Sequence, residues 1–179
     1  MTASLLIEDE KKVRRLVLLG AMEEDGKVRL PYLEAAYFAE KGEIEGSVEQ
    51  FLSLAEKSDP LAPEKYLVLK HLRNAGFIVR AGESADLLRV YKKGIRVGED
   101  RTMYLIRVLR KKDAPDLRGD LKLAGKMRKE LIYAFVVTPQ SARAGPRGSG
   151  AEGSVPFGTH SEVSGEKIEF VKVMRVNFE

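Results

Sequence analysis

Cysteine is absent from the 179 residues. That single gap removes disulfide frameworks, cysteine-based zinc sites and thiol nucleophiles together. Histidine is scarce: His71 and His160 are the only imidazoles, so a zinc enzyme is not expected and neither a metal nor a cofactor is called for. Side-chain amides are limited to Gln50, Asn74, Gln140 and Asn177 amid abundant Glu, Lys and Arg. Heat-adapted proteins favour this composition, because amides deamidate and ion-pair networks gain value when hot, and a thermophilic source is expected. No run reaches the about 18 apolar residues that span a bilayer, and Met1 to Glu10 carries acids instead of the basic start of a leader. The reading is a cytoplasmic protein without membrane contact.

What is present suffices for a core. Hydrophobic residues make up 44% and charged residues 32%, which excludes a disordered tail protein and leaves room for one medium domain or two small ones. Thirty-one Lys and Arg against 27 Asp and Glu leave a net charge of +4. That mild basic bias permits contact with phosphates without demonstrating it.

Along the chain, Leu5 to Met22 alternates short apolar runs with charges and predicts strands. Asp25-Gly26 predicts a turn, and Pro31 opens a short helix that stops at Gly42. Ser47 with Gln50 three residues on forms a capping-box pattern for a second helix, ending before Asp59-Pro60. The two prolines of Asp59 to Pro63 break helical periodicity, and a domain boundary is expected there. Pro63 then starts a helix through Asn74, with Gly76 as its left-handed stop.

Phe77 to Ala81, Asp86 to Lys92 and Thr102 to Leu109 predict three strands in a meander. Asp116 to Lys129 has Leu117, Leu121, Ala124 and Met127 at helical spacing with basic residues opposite, and Leu131 to Val137 reads as a buried strand. Ile168 to Phe178 predicts a closing strand. Together these give an α+β (or α/β) chain: a small N-terminal α+β domain over residues 1–60 and a C-terminal domain over 61–179. The latter has a mixed central sheet flanked by helices, and a long Gly/Ser-rich surface loop at 138–165.

The ordered blocks Lys65 to Gly82, Asp86 to Tyr91, Met103 to Val108 and Lys126 to Ile132 resemble the C-terminal domain of archaeal tRNA-splicing endonucleases. The resemblance runs from Pro63 to Val137 and takes in the closing strand, and it is weaker over the first third. It implies a nuclease-like domain and a metal-independent reaction on precursor tRNA at a bulge-helix-bulge. There the neighbouring 2′-hydroxyl attacks, leaving a cyclic phosphate and a 5′-hydroxyl. Such chemistry needs a proton acceptor, a proton donor and a cation beside the phosphorane, roles the family gives to Tyr, His and Lys.

By that resemblance Tyr91 stands at the tyrosine position and Lys129 at the lysine position, while Arg101 occupies the place of the histidine. A guanidinium keeps its proton at neutral pH and makes a poor general acid. Lys122 stands where the family has a base-stacking arginine, and Lys122, Arg128 and Lys129 are the expected RNA-binding residues. Tyr91, Arg101 and Lys129 therefore read as remnants of a catalytic set. The chain resembles the structural partner of the two-plus-two heterotetramer that some archaea build, with the closing strand pairing to the catalytic chain. The family's acidic docking loop would fall after Val137, where the acids are Glu152, Glu162 and Glu166. Two alternatives stay open. Arg101 could substitute for the histidine in an active chain, or the fold could serve as an RNA-binding or assembly module. Arg107, Arg110, Lys111 and Lys112 form a further basic group that could follow an RNA backbone or simply face solvent.

Overall fold

A computed structural model describes residues 4–82, 87–91, 102–137, 160–163 and 166–173. Arg101 and residues 138–159 lie outside these described residues. Among the described residues no helix is long and apolar enough to cross a membrane.

The first third forms strand β1 (Ser4–Ile7), helix α1 (Glu10–Leu18), strands β2 (Glu23–Glu24) and β3 (Lys27–Pro31), and helices α2 (Tyr32–Glu40) and α3 (Val48–Glu56). The strands make a small antiparallel sheet in the order β1-β3-β2. Its hairpin turn is Asp25-Gly26, both residues at positive φ (52° and 76°), as a tight two-residue connection requires. Ser47 caps α3 by accepting from the Gln50 backbone N–H at 3.1 Å.

Val13 to Leu19, expected as strand, is mostly helix. Asp9 accepts from the Lys12 N–H at 2.8 Å and starts α1. Val13 and Leu16, one turn apart, are its buried residues, so the period that counts there is 3.6 and not 2.

Asp59 pins the proline segment. One of its carboxylate oxygens accepts from the Leu61 N–H at 3.0 Å and the other pairs with the buried Lys65 ammonium at 2.6 Å. Helix α4 (Ala62–Asn74) follows, with Pro63 in its first turn and Gly76 just past its end at φ 89°.

The remaining strands are β4 (Ile78–Ala81), β5 (Leu87–Tyr91), β6 (Tyr104–Arg110), β7 (Glu130–Val137), β8 (His160–Val163) and β9 (Glu166–Val173), with helix α5 (Leu117–Met127) between β6 and β7. They form one sheet in the order β4-β5-β6-β7-β9-β8. β4, β5 and β6 are successive antiparallel neighbours, the expected meander, and β7 runs parallel to β6 after the α5 crossover. Strand β8 stands inside the 138–165 segment that was expected to be a loop.

Strand β9 is paired within the chain along two edges. β7 takes Lys167–Val173 and β8 takes Glu166–Glu169, so among the described residues only its outer edge beyond Glu169 is without a partner strand.

The sheet has two covered faces. On one, α4 packs over Leu88, Val90, Ile106, Val108, Ile132 and Phe170, in a buried cluster that continues without a break into α1, α2 and β3. On the other, α5 covers Leu105, Leu109, Leu131 and Tyr133.

Buried under the junction, Glu34 of α2 is fully shielded from solvent. It accepts from the Arg73 guanidinium of α4 at 3.0 Å and from the Ala81 backbone N–H of β4 at 3.0 Å, with Arg80 at 3.7 Å. Arg73 also donates to the Val79 carbonyl and lies over the Tyr37 and Phe38 rings, at 5.0 and 4.9 Å.

Candidate functional site

The backbone brings Tyr91 and Lys129 to the same end of the central sheet. Met103 sits between them: its N–H donates to the Val90 carbonyl at 2.9 Å and its carbonyl accepts from the Glu130 N–H at 3.3 Å. Tyr91, Met103 and Lys129 therefore occupy neighbouring positions across the ends of β5, β6 and β7. With strands roughly 4.8 Å apart, the Tyr91 and Lys129 backbones are about 10 Å from each other. Alternation along β5 puts Tyr91 on the face that carries Leu87, the face on which α5 lies.

Lys129 is placed by the end of α5. Arg128 takes the left-handed conformation (φ 54°, ψ 48°), its N–H donates to the Gly125 carbonyl and the Lys129 N–H donates to the Ala124 carbonyl at 2.9 Å. This is a Schellman turn built without glycine, and it turns the chain directly into β7. Arg128 is exposed and Lys129 partly so.

On α5, Asp120, Leu121 and Ala124 face the sheet. Asp120 pairs with Arg107 at 2.5 Å and accepts from the Tyr133 hydroxyl at 3.0 Å. Burial, then this bond, pushes the Tyr133 hydroxyl pKa well above its ordinary value. Away from the sheet, Arg118, Lys122 and Lys126 recur every four residues and are all exposed. Lys122 thus belongs to a basic stripe that leads along α5 toward Lys129. Arg118 was not singled out in the sequence, although its spacing from Lys122 was there to be read.

The other basic group divides. Arg107 is bound to Asp120, and Arg110 donates to Glu64 and to the Pro60 carbonyl, so both serve the fold. Lys111 and Lys112 are exposed at the turn that follows.

Neither His71 nor the His160 backbone stands at the Tyr91 and Lys129 end. His71 belongs to α4, on the opposite face of the sheet, with its ring 5.8 Å from that of Phe170. Burial holds its pKa below the usual imidazole value. His160 is in β8, opposite Glu169, which is itself opposite Phe135 of β7. That level is five residues along β7 from Glu130 and two strands farther across the sheet. Among the described residues no group of three His, Asp or Glu side chains could hold a metal ion.

A second feature was not anticipated from sequence. A cleft of about 660 Å³ lies between the small sheet and the β4–β5 edge, and Arg29, Arg80, Arg89 and Tyr91 all line it.

Tyr91 and Lys129 thus share one end of a mixed sheet with Met103 between them, and the exposed Arg118, Lys122 and Lys126 of α5 lie alongside. Residues 62–143 match the model of the tRNA intron endonuclease catalytic C-terminal domain. The chain is 32% identical to a tRNA-splicing endonuclease of Thermococcus kodakarensis over 120 residues, 63% of this chain and 71% of that protein. It is 34% identical to one from Methanothermobacter thermautotrophicus over 128 residues, covering 65% and 74%. A third, from Pyrococcus furiosus, is 34% identical over 139 residues, covering 72% and 81%. The chain belongs to the archaeal tRNA-splicing endonuclease family.

Proposed function

We propose that this chain is the structural subunit of a heteromeric tRNA-splicing endonuclease, which excises introns from precursor tRNA at bulge-helix-bulge sites. In the two-plus-two assembly it supports a catalytic chain and helps to hold the RNA. The observation that carries this reading is the residue at the family's histidine position, Arg101. A guanidinium has a pKa above about 12 and holds its proton through the reaction. Loss of the proton donor to the departing 5′-oxygen removes roughly 100- to 10,000-fold in rate. His71 and the backbone position of His160 lie away from the Tyr91 and Lys129 end, which lends no support to a displaced donor.

Tyr91 and Lys129 are then remnants of the catalytic set. Lys129 keeps a second use as a cation for the RNA backbone, together with Arg128 and Lys122. The outer edge of β9 beyond Glu169 is the natural place for the catalytic chain to add a strand.

The test is intron excision from a bulge-helix-bulge transcript by the purified chain, by a family chain from the same genome that carries the full Tyr, His and Lys set, and by both co-expressed. Cleavage only in the co-expressed sample, with a solution mass of two plus two, is the expected result. Cleavage by the isolated chain that is lost on Tyr91→Phe would overturn it.

A further inference from the structure

The cleft between the small sheet and the β4–β5 edge has an unusual charge arrangement. Arg80 of β4 and Arg89 of β5 are directly opposed in the antiparallel register, so both guanidinium groups rise from the same face. Like charges at directly opposed positions destabilise a strand pair. Arg80 is partly relieved from below by Glu34, and its Nη1 contacts the Met22 sulfur at 2.8 Å. Arg89 has no ion pair with any described residue.

The opposite wall adds a third guanidinium. Arg29 is exposed on β3, between the inward Val28 and Leu30, and it too makes no ion pair with a described residue. Glu24 is the one carboxylate among the described lining residues. Among the described lining residues three arginines face one acid, and an anion seated among them would turn repulsion into attraction.

We propose that this cleft is a phosphate-binding site in which Arg29, Arg80 and Arg89 hold the backbone of an RNA strand. Its volume, about 660 Å³, exceeds the need of a lone ion and suits nucleotide-sized groups. A strand fits better than a free nucleotide because positive charge continues beyond the cleft. Tyr91 lines it, and past Met103 come Lys129 and the Arg118, Lys122, Lys126 stripe. The proposal rests on the RNA-binding part of the function proposed above and is independent of which chain cuts.

The experiment measures binding of a bulge-helix-bulge RNA to the full chain, alone and with its catalytic partner, as a function of salt. Arg29→Gln/Arg89→Gln removes two contacts, and the slope of log affinity against log salt should flatten by about 1.4 to 1.8, with affinity down roughly tenfold. Lys11→Gln/Arg14→Gln removes the same charge from α1, which packs on the other face of the small sheet, and should change little. Glu24→Gln should tighten binding about two- to threefold, a gain that misfolding cannot imitate.

An unchanged slope in the Arg29/Arg89 variant, or an equal loss in the α1 variant, would overturn the proposal. So would saturable binding of AMP in the cleft with RNA affinity unmoved by the arginine changes. Cleavage by the isolated chain would instead end the structural-subunit reading and leave this measurement standing.

Discussion

Replacing Glu34 by Gln tests how the two parts of the chain are joined. The substitution keeps the volume and leaves a carbonyl to accept from the Ala81 N–H, but it strips the negative charge from beside Arg73. Arg73 is buried, and desolvation already pulls its pKa below the ordinary guanidinium value despite the nearby Glu34 carboxylate. Breaking a buried pair by removing one partner costs about 3–5 kcal/mol, because the surviving charge is left without compensation. For a chain of this length each kcal/mol corresponds to roughly 2–4 °C in Tm, so a fall of about 6–20 °C is expected.

Removing both charges separates pairing from burial. Glu34→Gln/Arg73→Met takes away the stranded cation, keeps apolar volume over the Tyr37 and Phe38 rings, and should lose clearly less than the two single changes added together. Urea unfolding of the four proteins gives the coupling term directly. A loss below about 1 kcal/mol for Glu34→Gln, or strict additivity in the double variant, would refute the reasoning.

Two further outcomes concern the end of α5 and helix α4. Arg128→Gly relieves a left-handed residue with a side chain at the end of α5 and should raise stability by about 1 kcal/mol, while weakening RNA binding if the lost cation contacts the backbone; thermal melts and RNA titrations report the two separately. His71 has its pKa lowered in the folded chain, so the unfolded chain binds the proton more readily, and stability present above pH 6.5 should be lost as pH falls through the folded value. An imidazole NMR titration with its midpoint at or above 6.5 would contradict this.

Much of the scaffold was legible because local signals agreed. Asp25-Gly26 reads as a turn, Ser47 as a cap and Gly76 as a helix stop, since each depends on the conformational habits of its own residue. Helix α1 was missed because its charges, Lys11, Lys12, Arg14 and Arg15, break the apolar pattern into pieces of strand length, and only Asp9 marks the start. The buried Glu34 gave no local sign, as a glutamate on a short helix ordinarily faces water and its partners are 39 and 47 residues away. The same limit hid the cleft. Arg80 and Arg89 were visible within their strands, but only the register sets them opposite each other, and only the small sheet brings Arg29 across from them. Tyr91 and Lys129 were linked by family resemblance, and their shared position comes from the ladder.

That ladder has a consequence for how such chains diverge. The interval from Tyr91 to Lys129 is measured out in peptide groups, through the amide and carbonyl of Met103, and owes nothing to the side chains it separates. Substitution along this rim rewrites the chemistry while the ruler beneath stays the same length. Side chains at this rim can thus be exchanged one for another without altering the backbone interval on which they are mounted.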